Sequence, residues 1–192
     1  MITVPSHIRG LIFDCDGTLA DTMPIHLDAW CDTFQAYGYT CPLSFLDQVK
    51  GMPAVKIVER FNLQFNADID PKRFAREKDR HARNNLLQVR PIEPVMAVVR
   101  QFKGKLPMAV ASGGVRDNVK LILDSIGISE LFTTVITADD PVPPKPSPEI
   151  FLEAARRMAV EPKLCQVFED GDAGLEAARI AGMVATDVRL FI

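Results

Sequence analysis

Arg9-Gly10-Leu11-Ile12-Phe13-Asp14 is a short apolar run ending on an acid, as a buried parallel strand ends at a functional loop. Similar runs recur at Pro107-Met108-Ala109-Val110-Ala111-Ser112, Thr134-Val135-Ile136-Thr137 and Leu164-Cys165-Gln166-Val167-Phe168-Glu169, and Val184 to Val188 adds a last strand. Between them, apolar residues spaced by three and four predict helices over 118–126, stopped by Gly127, over 149–158, opened by Pro148, and over 173–181, stopped by Gly182. This alternation over residues 92–192 implies right-handed crossovers and a Rossmann-like, doubly wound parallel sheet of the α/β class. Ligands of such sheets bind beyond the carboxyl ends of the strands, so the polar residues that follow each strand are expected to converge.

Residues 23–91 break the alternation and read as helices joined by polar loops, an insertion rather than part of the sheet. The expected organisation is therefore a core of residues 1–22 and 92–192 carrying a helical cap of residues 23–91. Pro24 suits a first helical turn, Gly38 suits a helix end, and Trp30, Phe34 and Tyr37 share one face, which reads as core.

The chain has 192 residues, 47% apolar and 24% charged, enough for one good core or for one core with a small accessory domain. A net charge of -3 argues against bulk nucleic-acid binding, so any anion site must be local. The four cysteines, Cys15, Cys31, Cys41 and Cys165, form no CxxC pair and no zinc-ligand spacing. With no signal-like or membrane-length apolar segment, a cytoplasmic setting without membrane contact is expected.

The first strand is followed by Asp14-Cys15-Asp16-Gly17-Thr18-Leu19-Ala20-Asp21-Thr22. In extended geometry residues two apart point to the same side, so two carboxylates share one small space. Like charges so placed repel, and one pKa rises unless a cation or a positive side chain lies between them. On spacing alone this also fits an Asp-Gly turn with solvated acids. Cys15 suits the buried face of the strand end, where a thiol beside two carboxylates is a poor nucleophile. Pro141, Pro143, Pro144, Pro146 and Pro148 crowd around Lys145 and stiffen its loop. Ser112 with Gly113 and Gly114 suits a phosphate oxygen near a helix start.

The segment from Asp14 to Thr22 resembles the DxDGTxxDT signature of the haloacid dehalogenase-like phosphotransferases. The other three signatures of that family follow in order, as Ser112, Lys145 and Glu169-Asp170. The resemblance covers essentially the whole chain and is nearest the beta-phosphoglucomutase and fructose-1-phosphatase-like branches. It implies Asp14 as the nucleophile that forms an acyl-phosphate, Asp16 as the acid and then the base, and Ser112 and Lys145 as further catalytic residues. It implies Mg2+ held by Asp14, Glu169, Asp170 and the backbone carbonyl of Asp16, a set of hard oxygen donors suited to that ion. Asp172 is a candidate brace for the metal loop.

Substrate-binding positions implied in the same way are Thr18, His26, Lys50, Lys78, Gly113, Gly114 and Arg116, with the cap expected to set selectivity. Residues 72–83 hold six basic side chains against Glu77 and Asp79, which also fits a solvated helix face. The cap loop keeps the family's Lys50-Gly51 pair, but an arginine that grips the distal phosphate in the mutase is absent, with Ala54 nearest its place. The mutase also carries serine where Gly171 stands. The expected function is a Mg2+-dependent phosphatase of small phosphorylated metabolites such as fructose 1-phosphate or 6-phosphogluconate. A beta-phosphoglucomutase-type isomerase and a catalytically inactive binding module are the alternatives. The expected assembly is a monomer or a weak homodimer.

Overall fold

The structure is a computed structural model that describes residues 1–49 and 52–192. After β1 (Gly10–Phe13) the chain runs through α1 (Met23–Ala36), α2 (Leu43–Gln48), α3 (Ala54–Phe65) and α4 (Pro71–Asn85). It continues through α5 (Glu93–Phe102), β2 (Met108–Ala111), α6 (Arg116–Ser125), β3 (Thr134–Ile136) and α7 (Glu149–Arg157). It ends with β4 (Cys165–Glu169), α8 (Asp172–Ile180) and β5 (Val184–Asp187). Contacts divide it into two compact units, Met1–Thr22 with Gln88–Ile192, and Met23–Leu87. The helical unit ends at Leu87, inside the short helix Leu86–Gln88.

The first unit is built on one five-stranded sheet of order β3-β2-β1-β4-β5, with every pairing parallel. Leu11 lies opposite Met108, Phe13 opposite Phe168, and Ala111 opposite Ile136. All residues of β1, β2 and β4 are buried, which is why these runs are apolar without alternation. The chain moves outward from β1 to β2 and β3, then returns to the other side of β1 for β4 and β5. The reversal falls between β1 and β4, and their carboxyl ends therefore frame the crevice where such sheets bind ligands.

Helix α7 turns Ile150, Phe151, Ala154 and Ala155 inward, a stripe of period 3.6, into a core with Ile12, Ala109, Val167 and Ala178. Phe13 stacks on Phe168 with ring centroids 4.6 Å apart, joining the two central strands through their side chains as well as their backbones. Each side chain buried to this degree contributes on the order of 1.5–3 kcal/mol relative to exposure.

The helical unit has its own core, in which Trp30, Phe34, Phe45, Phe61 and Phe74 are buried together. Phe34 lies at its centre, 4.2 Å from the Phe61 ring centroid and 4.5 Å from that of Phe74. The Trp30, Phe34 and Tyr37 stripe is core, as its spacing suggests. Helix α4 starts where Asp70 accepts the backbone N–H groups of Lys72 and Arg73, with Pro71 just inside.

Helix α6 begins at Arg116, two residues earlier than its apolar spacing suggests, because a cap arrives from another part of the chain. The Arg116 backbone N–H donates to Asp139 at 2.7 Å. Asp140 beside it accepts from the Thr137 N–H at 2.9 Å, from Arg116 at 2.5 Å and from Arg157 at 3.0 Å. One carboxylate thus ties the end of β3 to the start of α6 and the end of α7. Burial pushes its pKa upward, but the Thr137 N–H and the Arg157 and Arg116 guanidiniums outweigh this and hold it below the usual range.

A carboxyl with a depressed folded pKa contributes stability above the unfolded value near 3.9, and that contribution fades as pH falls through the folded pKa. Asp140→Asn is therefore expected to cost roughly 1–2 kcal/mol at pH 7, discounted for the partly solvated arginines. The difference from the unmodified protein should shrink below about pH 4. Denaturant melts at the two pH values check this, and a pH-independent difference would contradict it.

Candidate active site

The carboxyl end of β1 delivers Asp14, whose N–H donates to the Phe168 carbonyl at 3.0 Å and whose side chain is buried. The chain then turns tightly, with Leu19 and Ala20 donating to the Cys15 carbonyl and Gly17 donating to Ala20. Gly17 has a φ of 80°, in the left-handed region, and a Cβ there would run into the Asp170 carboxylate. The turn therefore needs glycine for its backbone and for its proximity to the acid. Thr22 Oγ1 donates to Asp16 Oδ1 at 2.7 Å, fixing the orientation of that carboxyl. Cys15 is buried, and its thiol pKa is pushed well up by burial first and then by Asp16 and Asp14.

The carboxyl end of β4 delivers Glu169 and Asp170. One carboxylate oxygen from each of Asp14, Glu169 and Asp170 lies within 4.8 Å of the others. Lys145 Nζ donates to Asp14 Oδ1 at 2.6 Å and to Glu169 Oε2 at 2.7 Å, and it sits 5.1 Å from the centroid of the Phe151 ring. Glu169 Oε1 accepts the N–H groups of Asp170 at 3.1 Å and Gly171 at 2.8 Å, and Asp170 Oδ1 accepts from Thr18 Oγ1 at 3.1 Å. Each acid of the cluster is thus held by a donor from a different segment.

Burial raises the Asp14 pKa well above its ordinary value, Glu169 and Asp170 add to the rise, and Lys145 opposes it. Burial alone would lower the Lys145 pKa, but Asp14 and Glu169 override it and keep the ammonium charged. Three hard carboxylates around one lysine leave an excess of negative charge, and this donor set fits a small divalent cation such as Mg2+.

Strand β2 delivers Ser112, which is buried beside β1, with its N–H on the Ile136 carbonyl at 2.9 Å. Ser112 Oγ accepts the Gly114 N–H at 3.0 Å, and the Gly114 carbonyl accepts the Ala138 N–H at 3.0 Å. A Cβ at Gly114 would stand 3.4 Å from Asp16 Oδ2, which places this loop next to the turn after β1. Space is open around Gly113. The Arg116 guanidinium is engaged with Asp140.

Asp172 does not brace the metal loop. It is the first residue of α8, largely exposed, and pairs with Arg189 at 2.8 Å.

Within the helical unit, Lys78 is buried while Lys72, Arg73, Arg76, Arg80 and Arg83 on the same helix are exposed. Lys78 Nζ lies 3.1 Å from His26 Nδ1, 3.4 Å from Asp79 Oδ1 and 5.6 Å from the Trp30 ring centroid. An ammonium can only donate, so His26 Nδ1 accepts and the ring proton belongs on Nε2. The structure therefore pairs two of the expected cap residues and separates Lys78 from the solvated basic face. Lys50 lies outside the described residues, as does Gly51.

Asp139, Asp140 and Gly174 were not singled out from the sequence. The two acids follow a strand like any surface pair, and their partners are distant in sequence. A glycine inside the apolar pattern of α8 is a signal that points to a packing requirement.

The family profile of haloacid dehalogenase-like hydrolases matches residues 8–182. The chain is 41% identical over 182 residues to the fructose-1-phosphate phosphatase YqaB of Escherichia coli, covering 94% of this chain and 96% of that one. It is 28% identical to a phosphorylated carbohydrates phosphatase of Thermotoga maritima, covering 92% of this chain and 82% of the relative. Its fold matches a crystal structure of beta-phosphoglucomutase from Clostridium difficile with a TM-score of 0.79 at 26% identity, over 93% of this chain and 83% of that chain. With its sheet order, its acidic cluster and this match over most of its length, the chain is an enzyme of the haloacid dehalogenase-like hydrolase family.

Proposed function

We propose that this enzyme hydrolyses the phosphate monoesters of small sugars through an aspartyl-phosphate on Asp14. The observation that carries the reading is Lys145 bridging Asp14 and Glu169 inside a three-carboxylate cluster at the switch point of the sheet. A dianionic phosphate would be repelled by these acids, and Lys145 supplies only one charge against them. Mg2+ held by Asp14, Glu169, Asp170 and the Asp16 carbonyl would balance the rest and polarise the phosphoryl group.

The residues then have distinct tasks. An Asp14 oxygen forms a bond to phosphorus as the ester oxygen leaves, and Asp16 gives that oxygen its proton. In the second half Asp16 takes a proton from water, the water oxygen bonds to phosphorus, and the Asp14 acyl-phosphate breaks to release inorganic phosphate. Thr22 holds the Asp16 carboxyl in one orientation for both transfers. Ser112 and the Gly113 amide serve the phosphoryl oxygens, the Gly114 amide holds the Ser112 hydroxyl, and Thr18 steadies Asp170. Lys78, His26 and Lys50 are assigned to sugar-phosphate selectivity. A small phosphorylated metabolite is the partner, in the cytoplasm.

A sugar substrate is supported by the two phosphatases named above, which act on fructose 1-phosphate and on phosphorylated carbohydrates. The likeness to beta-phosphoglucomutase favours a second reading, in which the phosphoryl group returns to another hydroxyl of the sugar. A mutase must grip a second phosphate strongly while its intermediate reorients. Here Ala54 stands nearest the place of the gripping arginine, and a lysine such as Lys56 offers only a point charge. Lys56 is moreover engaged with Glu59 at 2.7 Å.

Hexose monophosphates such as fructose 1-phosphate are expected to release stoichiometric inorganic phosphate without a bisphosphate activator. Conversion of beta-glucose 1-phosphate to glucose 6-phosphate faster than any monophosphate is hydrolysed would replace this reading by the mutase. Metal dependence follows from size and ligand geometry. Chelator should abolish turnover, Mg2+ restore it, and Ca2+ inhibit by accepting more ligands at longer distances. Full activity in excess chelator is incompatible with the site as assigned.

A further inference from the structure

Gly174 lies in α8 at a buried position, where glycine is a poor helix former compared with alanine. A Cβ placed there would overlap the Glu169 side chain, and its three nearest atoms are Oε2, Cδ and Cγ of that one residue. No backbone atom is among them. A long side chain usually evades such an overlap by swinging aside, but Glu169 is held at both oxygens. Oε1 accepts from the N–H groups of Asp170 and Gly171, and Oε2 accepts from Lys145. Gly171 differs, because a Cβ there would stand 3.2 Å from Glu169 Oε1, a contact that a small shift relieves.

We propose that Gly174 is a positioning residue: its missing side chain is the space that lets Glu169 fold back against α8 and reach Lys145 and the Asp14 cluster. Any side chain at 174 would push the Glu169 carboxylate out of that seat while leaving the helix itself able to form. The inference rests on the reading that Glu169 belongs to the Mg2+ and phosphoryl site. It identifies a requirement at a residue that offers no functional group.

The test is a cycle of Gly174→Ala, Glu169→Ala and the double variant, with Mg2+ affinity measured by calorimetry and melting followed in chelator. Gly174→Ala is expected to weaken Mg2+ by about 10–100-fold, the scale seen when a residue orienting a metal ligand is lost. In the Glu169→Ala background the same change should weaken it no further. With nothing left to collide, the double variant should melt at the temperature of Glu169→Ala or about 2–4 °C higher, since alanine suits the helix better.

Mg2+ affinity of Gly174→Ala within twofold of the unmodified protein would overturn the proposal, as would a second full loss in the double variant. If Gly174→Ala does not fold, folding of the double variant still supports the collision with Glu169. Failure of both to fold overturns it, because the overlap would then involve something else. If the unmodified protein itself binds no Mg2+ at millimolar concentration, the assignment of the cluster fails and the Gly174 proposal falls with it. The titration of the unmodified protein separates that outcome from the others.

Discussion

The ammonium of Lys145 lies between Asp14 and Glu169, and the geometry at the end of the sheet depends on that bridge. Three carboxylates in a buried space repel one another, and water cannot screen them as it would at the surface. Lys145 compensates part of the repulsion, while burial first, and then Glu169 and Asp170, hold the Asp14 pKa well above its ordinary value. A cluster under-neutralised in this way favours the arrival of further positive charge.

The fold supplies the geometry through its topology. Strands β1 and β4 are neighbours in the sheet but more than 150 residues apart in the chain, and their register puts Phe13 opposite Phe168. Asp14 and Glu169 therefore leave the sheet side by side. Lys145 arrives from the loop after β3, two strands from β1, and the ties of Asp139 and Asp140 anchor the start of that loop to α6. Glycines finish the arrangement: Gly17 admits the Asp170 carboxylate and Gly174 the Glu169 side chain. The residues around the chemistry are as much a pattern of omitted side chains as of charged ones.

Much of this was legible in the sequence. The unbroken apolar runs marked central parallel strands because burial on both faces leaves no room for alternation. The acids after the first and fourth strands, Ser112 after the second and the proline-bound lysine after the third were each visible at a strand end. What stayed hidden depended on distant partners. Asp140 reads as a loop acid until Arg116 and Arg157 are seen against it. Asp172 reads as part of the metal loop until Arg189 is seen to take it. Lys78 was separable from its basic neighbours only by resemblance, whereas the structure separates it by burial against Trp30 and His26.

The central claim is that the phosphoryl group passes through Asp14 on its way to water. Each in-line displacement inverts the configuration at phosphorus, so two in succession restore it. The most direct measurement uses a sugar phosphorothioate made chiral at phosphorus by sulfur and two oxygen isotopes, hydrolysed in water that carries the third isotope. Net retention of configuration in the released thiophosphate is the result expected for transfer through Asp14. Net inversion would mean that water attacks the ester directly, and it would contradict the assignment of Asp14 as nucleophile.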